Sequence, residues 1–355
     1  MLSRRFPKCF HAFVPSRHRP PRTCLAMLLL ALAGLCPVEE VGAQPGARYA
    51  VLIGGLGGSA EHTETFKGYL AAAHAALTGP LGFPEDHVVT LAEPAAADLP
   101  FVDGVSQAEE IRARFAALAA TVTPDDHVYV FLFGHGSFDG TRARLNIPRR
   151  DLDDADYAAL LRALPAGRLV FVNTAPASGP FTHTLAGPGR IIVTATRTGT
   201  QRNETRFPAF FVEALTDPAA DLDRDGSLSV REAFVYAAER TARWYEEGGH
   251  LATEHALLED DGDGEGTRVE DLDAGPDGRL AAVTYLRRPA PLAAGGTTLP
   301  GATPERLRTK ADLERAIADL IREKASLPEA AYYARLESLF VRLARLNDVL
   351  EGERN

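Results

Sequence analysis

The sequence predicts an α/β fold, a mostly parallel sheet flanked by helices, followed by an αα-hairpin. Two observations carry the sheet. Five strand-length runs, at 49–53, 87–91, 128–133, 169–172 and 191–194, are almost continuously apolar rather than alternating, the mark of strands buried on both faces. The segments between them hold helical patterns at 64–77, 105–120, 154–164, 208–215 and 229–247, which suits crossover connections between parallel strands. A third observation sets the end of the domain. From 289 to 303 the composition turns to Pro, Gly, Ala and Thr, and an apolar stripe of three- and four-residue spacing follows it.

The chain has 355 residues, of which 45% are hydrophobic and 24% charged, enough apolar surface for a large core. Its first 43 residues read as an export signal, with Arg4, Arg5, Lys8, Arg17, Arg19 and Arg22 ahead of the apolar stretch 25–35 and small residues at Gly42 and Ala43. That stretch is too short to span a bilayer comfortably. Cys36 raises the question of a lipid anchor, but Leu35 stands where a lipobox wants a small residue, so cleavage and release to the periplasm or exterior is the expectation. Losing residues 1–43 removes six basic and two acidic side chains and moves the formal charge from −10 to −14. Such a balance argues against nucleic acid and anionic membranes as partners. All three cysteines, Cys9, Cys24 and Cys36, lie in the removed segment, so residues 44–355 carry neither a disulfide nor a thiol.

The expected domain is therefore 44–288, with 289–303 as linker and 304–355 as a helical hairpin broken at Leu327-Pro328. Leu313, Ile317, Leu320 and Ile321 form the apolar stripe of its first helix, and Leu336, Leu339, Phe340, Leu343, Leu346 and Leu350 that of its second. The expectation is that this seam packs within the protein.

In an open parallel sheet, functional groups collect beyond the carboxyl ends of the strands. The run at 128–133 ends there in Gly134-His135-Gly136, and the run at 169–172 ends in Asn173-Thr174-Ala175-Pro176-Ala177-Ser178-Gly179. Together these turns resemble the caspase and legumain superfamily of cysteine peptidases, in which one strand ends at the catalytic His-Gly and the next at an Ala-Cys-x-Ser-Gly nucleophile turn. The likeness covers about 48–288. Arg190 to Arg197 resembles the next family strand, and Phe207 to Leu215 the helix that follows it. The resemblance implies the family fold, with His135 as the general base and the Gly136 N–H at the oxyanion site. The nucleophile position, however, is Pro176. Proline has neither a nucleophile nor the N–H that could help line such a site. Ser178 is two residues farther along a turn and is expected to point elsewhere. A pseudoenzyme is therefore the expectation, with His135 a structural histidine. The alternative is a hydrolase pairing His135 with Ser178.

The motif with the most specific spacing is Asp221-Leu222-Asp223-Arg224-Asp225-Gly226-Ser227-Leu228-Ser229-Val230-Arg231-Glu232, which matches a twelve-residue EF-hand calcium loop. Ca²⁺ takes six to eight oxygens. Asp221, Asp223 and Asp225 at positions 1, 3 and 5, the Ser227 carbonyl at 7, Ser229 or its water at 9 and a bidentate Glu232 at 12 supply them, while Gly226 makes the sharp turn. Asp217-Pro218 interrupts the incoming helix, so the unit is EF-hand-like. A second acidic run at 259–266 begins similarly, but counting from Asp261 the twelfth residue is Leu272, and a plain solvated loop is expected there. Gly55-Leu56-Gly57-Gly58-Ser59-Ala60 resembles a dinucleotide-binding turn only weakly, because Glu93 stands too far downstream to serve as the ribose-binding acid. The sequence thus points to an exported, Ca²⁺-binding, caspase-like protein that binds or scaffolds an unidentified protein or peptide.

Overall fold

The computed structural model describes residues 46–96 and 99–288, positions 306, 309, 313, 316 and 320, and residues 328–351. The expected signal segment 1–43 and linker 289–303 lie outside the described residues, as does most of the first hairpin helix.

Seven strands form the main sheet. They are β1 (Arg48–Gly54), β2 (Val88–Ala92), β3 (Gly104–Val105), β4 (His127–Phe133), β8 (Arg168–Asn173), β9 (Arg190–Thr194) and β11 (Leu257–Glu259). Their order is β11-β9-β8-β4-β1-β2-β3, and every pairing is parallel except that of β11 with β9. Period-two alternation sends successive side chains into two separate cores. Ala50, Leu52, Tyr129, Phe131, Val170, Val172, Ile191 and Val193 face α1 (Ala60–Thr78), α5 (Phe207–Ala214) and α6 (Val230–Glu247). Val51, Ile53, Val128, Val130, Leu132, Leu169, Phe171 and Ile192 face α2 (Ala108–Thr121), α3 (Asp154–Arg162) and α4 (Pro180–Leu185). Helices on both faces explain why these strands read as continuous apolar runs.

The five expected strands and the helices of the domain appear at nearly the expected places. One boundary is corrected: the helix expected from 105 begins at Ala108, because Gly104 and Val105 pair with Leu91 and Ala92 as an edge strand. Helix starts follow local chemistry. Ser59 caps α1 by accepting from the His62 N–H, and Asp153 with Asp156 forms a capping box on α3. By contrast, α5 has no side-chain cap of its own. Buried Glu254 supplies one from 47 residues away, accepting from the N–H groups of Arg206 (2.6 Å) and Phe207 (3.2 Å).

Smaller elements lie outside the main sheet. After His135 the chain makes a small antiparallel sheet of β5 (Gly136–Phe138), β6 (Ala143–Leu145) and β7 (Leu152–Asp153). Farther on, β10 (Leu228–Ser229) pairs antiparallel with β12 (Tyr285–Arg287), and the four-residue α7 (Arg279–Ala282) precedes β12. The core holds β12 in place. The Tyr129 hydroxyl donates to the Tyr285 carbonyl (2.7 Å), and the buried Arg48 guanidinium donates to the carbonyls of Leu286, Leu81 and Gly82. Burial lowers Arg48 to about 10, and it stays charged at neutral pH.

Beyond the linker, α8 (Glu329–Glu351) corresponds to the second hairpin helix. Positions 306, 309, 313, 316 and 320 are helical, and Leu313, Leu320 and Tyr332 are buried. Leu336, Leu339, Leu343 and Leu346 are half-buried, whereas Phe340 is 50% exposed; the Leu350 side chain lies outside the described residues.

Two outcomes test this architecture. Phe171, fully buried and stacked on Phe181 at 5.8 Å, sits in the centre of one core. Phe171→Ala is expected to cost about 3–5 kcal/mol in denaturant unfolding, and a cost under about 1 kcal/mol contradicts that packing. Both core clusters draw their last residue from Leu286 or earlier. A chain ending at residue 303 is therefore expected to keep a cooperative thermal transition; loss of that transition shows that the helical region completes the core.

Candidate metal centre and histidine site

The loop at 221–232 runs from the single helical turn Pro218–Ala220 into α6. Oxygens of Asp221, Asp223 and Asp225 lie within 4.8 Å of one another. Backbone donors inside the loop set this convergence. Asp221 accepts from the Asp225 N–H (3.1 Å) and the Gly226 N–H (2.9 Å), Asp223 from the Asp225 N–H (3.1 Å), and Asp225 from the Ser227 N–H (2.7 Å). Arg224 and Gly226 are left-handed, at φ 59° and 82°, which coils the chain around the carboxylates. Burial raises Asp223 above its ordinary value, and the Asp225, Glu232 and Asp221 carboxylates add to the rise.

The remaining expected ligands are engaged in the local structure. One Glu232 oxygen crosses the loop to the N–H groups of Leu222 (3.0 Å) and Asp223 (3.4 Å). The other accepts from the Ser229 N–H and hydroxyl, both at 2.8 Å, and the Ser229 hydroxyl accepts in turn from the Glu232 N–H. That is a capping box on α6, so Ser229 serves the helix start and Glu232 serves both helix and loop. The Ser227 carbonyl accepts from Arg287 at 3.2 Å and retains its second lone pair. The three convergent carboxylates, all oxygen donors, are a group that could hold a hard metal ion. A cavity of about 320 Å³ opens beside it, with Asp223, Asp225, Glu232, Val235, Val269 and Leu272 among its lining residues.

The His-Gly and Pro176 turns stand at the carboxyl ends of neighbouring strands, β4 and β8. They touch: a Cβ on Gly136 would lie 2.0 Å from the Pro176 carbonyl oxygen, so only glycine fits there. His135 donates from Nε2 to the Gly57 carbonyl at 3.1 Å, which puts its proton on that nitrogen. Its ring meets the edges of His62 (4.6 Å) and Phe66 (5.1 Å). Burial, with His62 beside it, lowers the His135 pKa. Ala177, after Pro176, is left-handed at φ 57°, and its N–H donates to the Gln201 carbonyl at 2.8 Å.

Ser178 is 1% exposed. Its hydroxyl lies 3.1 Å from that of Thr196 and accepts from the Thr196 N–H at 3.2 Å; no hydrogen bond joins it to His135 among the described residues. The glycine turn after β1 is held from inside. Glu93 accepts from the Gly57 N–H (3.1 Å) and the Thr63 hydroxyl (2.7 Å), so this carboxylate fastens the turn rather than facing outward. Sequence spacing identified neither His62 as a neighbour of His135 nor Glu93 as the acid that holds the Gly57 turn; both arrive from segments more than 40 residues upstream of His135.

Ser178→Ala is expected to leave the Thr196 N–H short of an acceptor and to lower stability by about 1–3 kcal/mol in urea unfolding, and an unchanged midpoint removes the proposed structural role. In comparisons with known proteins, no family model and no curated protein matches the chain.

Proposed function

We propose that this is an exported calcium-binding protein of caspase-like architecture, without a peptidase nucleophile, whose role is to bind or scaffold a protein or peptide. The observation that carries the reading is the convergence of Asp221, Asp223 and Asp225 in a coil that leads directly into α6. A cation there would neutralise carboxylates that otherwise repel one another. It would also bind the same carboxylate, Glu232, that starts the helix, so loading would stiffen the loop, α6 and the β10–β12 ribbon together. The caspase-like part is supported by the mostly parallel sheet and by the contact between the Gly136 and Pro176 turns. Absence of peptidase chemistry is supported by Pro176, by the missing cysteine in 44–355, and by the burial of Ser178. Among the described residues no helix is long and apolar enough to cross a membrane.

Calcium titration of the purified protein tests the cation reading. Ca²⁺ is expected to bind saturably and to raise the melting temperature by mass action, by about 2.7 kcal/mol of stability at a hundredfold excess over Kd. Glu232→Gln is expected to remove most of that shift. A wild-type protein whose melting is indifferent to Ca²⁺ overturns the assignment. A panel of peptides with Asp, Asn, Arg or Lys before the scissile bond is expected to stay intact, and turnover that vanishes in His135→Ala contradicts the pseudoenzyme reading.

A further inference from the structure

The second acidic run is read from Asp261 in the sequence, and from there it has no closing acid. The structure moves its origin two residues back. β11 ends at Glu259, which is paired with Ile192 on β9, so the first carboxylate of the run is fixed to the edge of the main sheet. Counting from Glu259, acids stand at positions 1, 3 and 5 as Glu259, Asp261 and Asp263, with Gly264 at position 6. Oxygens of these three carboxylates lie within 4.8 Å of one another.

The hydrogen-bond pattern matches that of the first loop at several positions. Position 6 donates to position 1 in both, Gly226 to Asp221 and Gly264 to Glu259. Position 5 donates to position 3, as Asp225 to Asp223 and Asp263 to Asp261, and position 7 to position 5, as Ser227 to Asp225 and Glu265 to Asp263. Positions 4 and 6 are left-handed in each, Arg224 and Gly226 in one and Gly262 and Gly264 in the other.

An independent observation points to a ligand. Glu259 is fully buried, and while its Oε1 accepts from the N–H groups of Gly262 (2.6 Å) and Gly264 (3.4 Å), its Oε2 has no partner. A carboxylate oxygen without a partner is costly in such a place, and a bound cation would satisfy it. The first loop contains no such orphan oxygen among its described carboxylates. Two more buried acids, Asp260 and Asp277, stand behind the loop, and both are occupied by backbone donors: Asp260 by Gly278 and Ala281, Asp277 by the Asp260 N–H. Their role is to hold the loop's shape.

We propose that Glu259, Asp261 and Asp263 form a second divalent-cation site, selective for a hard oxygen-seeking ion of the calcium class. Its ligands are the three carboxylates, with water completing the shell. Glu270, twelfth from Glu259, is paired with Arg268 at 2.7 Å and stays outside the set. With no acid closing it, the site is expected to bind more weakly than one with a bidentate twelfth ligand. Because Glu259 ends a sheet strand and Gly264 packs on His183 of α4, occupancy would tie the β11 edge to the helix that follows the Pro176 turn.

Calorimetric titration with CaCl₂, after chelator treatment, separates the two loops. Wild type is expected to bind two Ca²⁺ per chain, Asp261→Asn/Asp263→Asn one, and Glu232→Gln one. If wild type binds a single Ca²⁺ that survives the double substitution and is lost in Glu232→Gln, the second site is overturned while the first stands. If the single ion is instead lost only in the double variant, the second site stands and the reading of 221–232 fails. Glu259→Gln guards against misfolding, since it keeps the side-chain shape: it is expected to match wild-type circular dichroism in chelator and to bind one ion fewer, and an undiminished count overturns the proposal.

Discussion

At the carboxyl ends of β1 and β4, two backbones meet almost without side chains between them. A Cβ on Gly134 would stand 2.9 Å from the Gly55 Cα, and the Gly55 N–H donates to the Phe133 carbonyl at 2.7 Å. This is where the strand order reverses, with β2 and β3 on one side of β1 and β4, β8 and β9 on the other. In open α/β sheets such a point is ordinarily a crevice. Here the close approach draws Gly57 to His135, seats the imidazole between Phe66 and His62, and leaves Glu93 to fasten the turn from below. The contact also sets the height of Gly136 against Pro176 on the next strand. A side chain at Gly134 would separate β1 from β4 and disturb every group at this edge.

The acidic loops are joined to the same frame at different points. The loop at 221–232 reaches it through β10 and β12, and β12 is held by Tyr129 from the sheet and by Arg48 from its first strand. The loop at 259–266 grows directly from β11. Each acidic coil thus begins or ends on a short strand whose position is decided by the core. Small strands of two or three residues bury little surface themselves, and their placement depends on charged and aromatic anchors contributed by distant segments.

The five long strands were legible because burial on both faces demands near-continuous apolar residues, and 128–133 and 169–172 satisfy that demand without interruption. Most helices were legible from the helical patterns between the strands. Short elements were not. Gly104–Val105 reads as a helix start, and Leu257–Glu259 has too few residues for any period to register. In the candidate metal loop, the three aspartates and Gly226 could be named from spacing, since the coil is local and its donors are its own N–H groups. That Glu232 divides itself between cap and loop, and that Arg287 leans on the Ser227 carbonyl, could not, since the first depends on rotamers and the second on β12.

The sequence by itself determined the α/β class, the absence of cysteine from residues 44–355, the proline at 176 in the turn after the 169–172 run, and the spacing of the first acidic loop. These are properties of composition and local order, which need no partner from elsewhere in the chain. Tertiary structure decided the rest: the partner of His135, the burial of Ser178 against Thr196, the cap that Glu254 lends to α5, and the origin of the second acidic loop. Each depends on segments far apart in sequence meeting at one edge of a sheet. Glu259 shows the reason most directly, because in the fold it ends β11 opposite Ile192 and is fully buried. In the sequence it is one of several consecutive carboxylates; in the folded protein, water no longer reaches it.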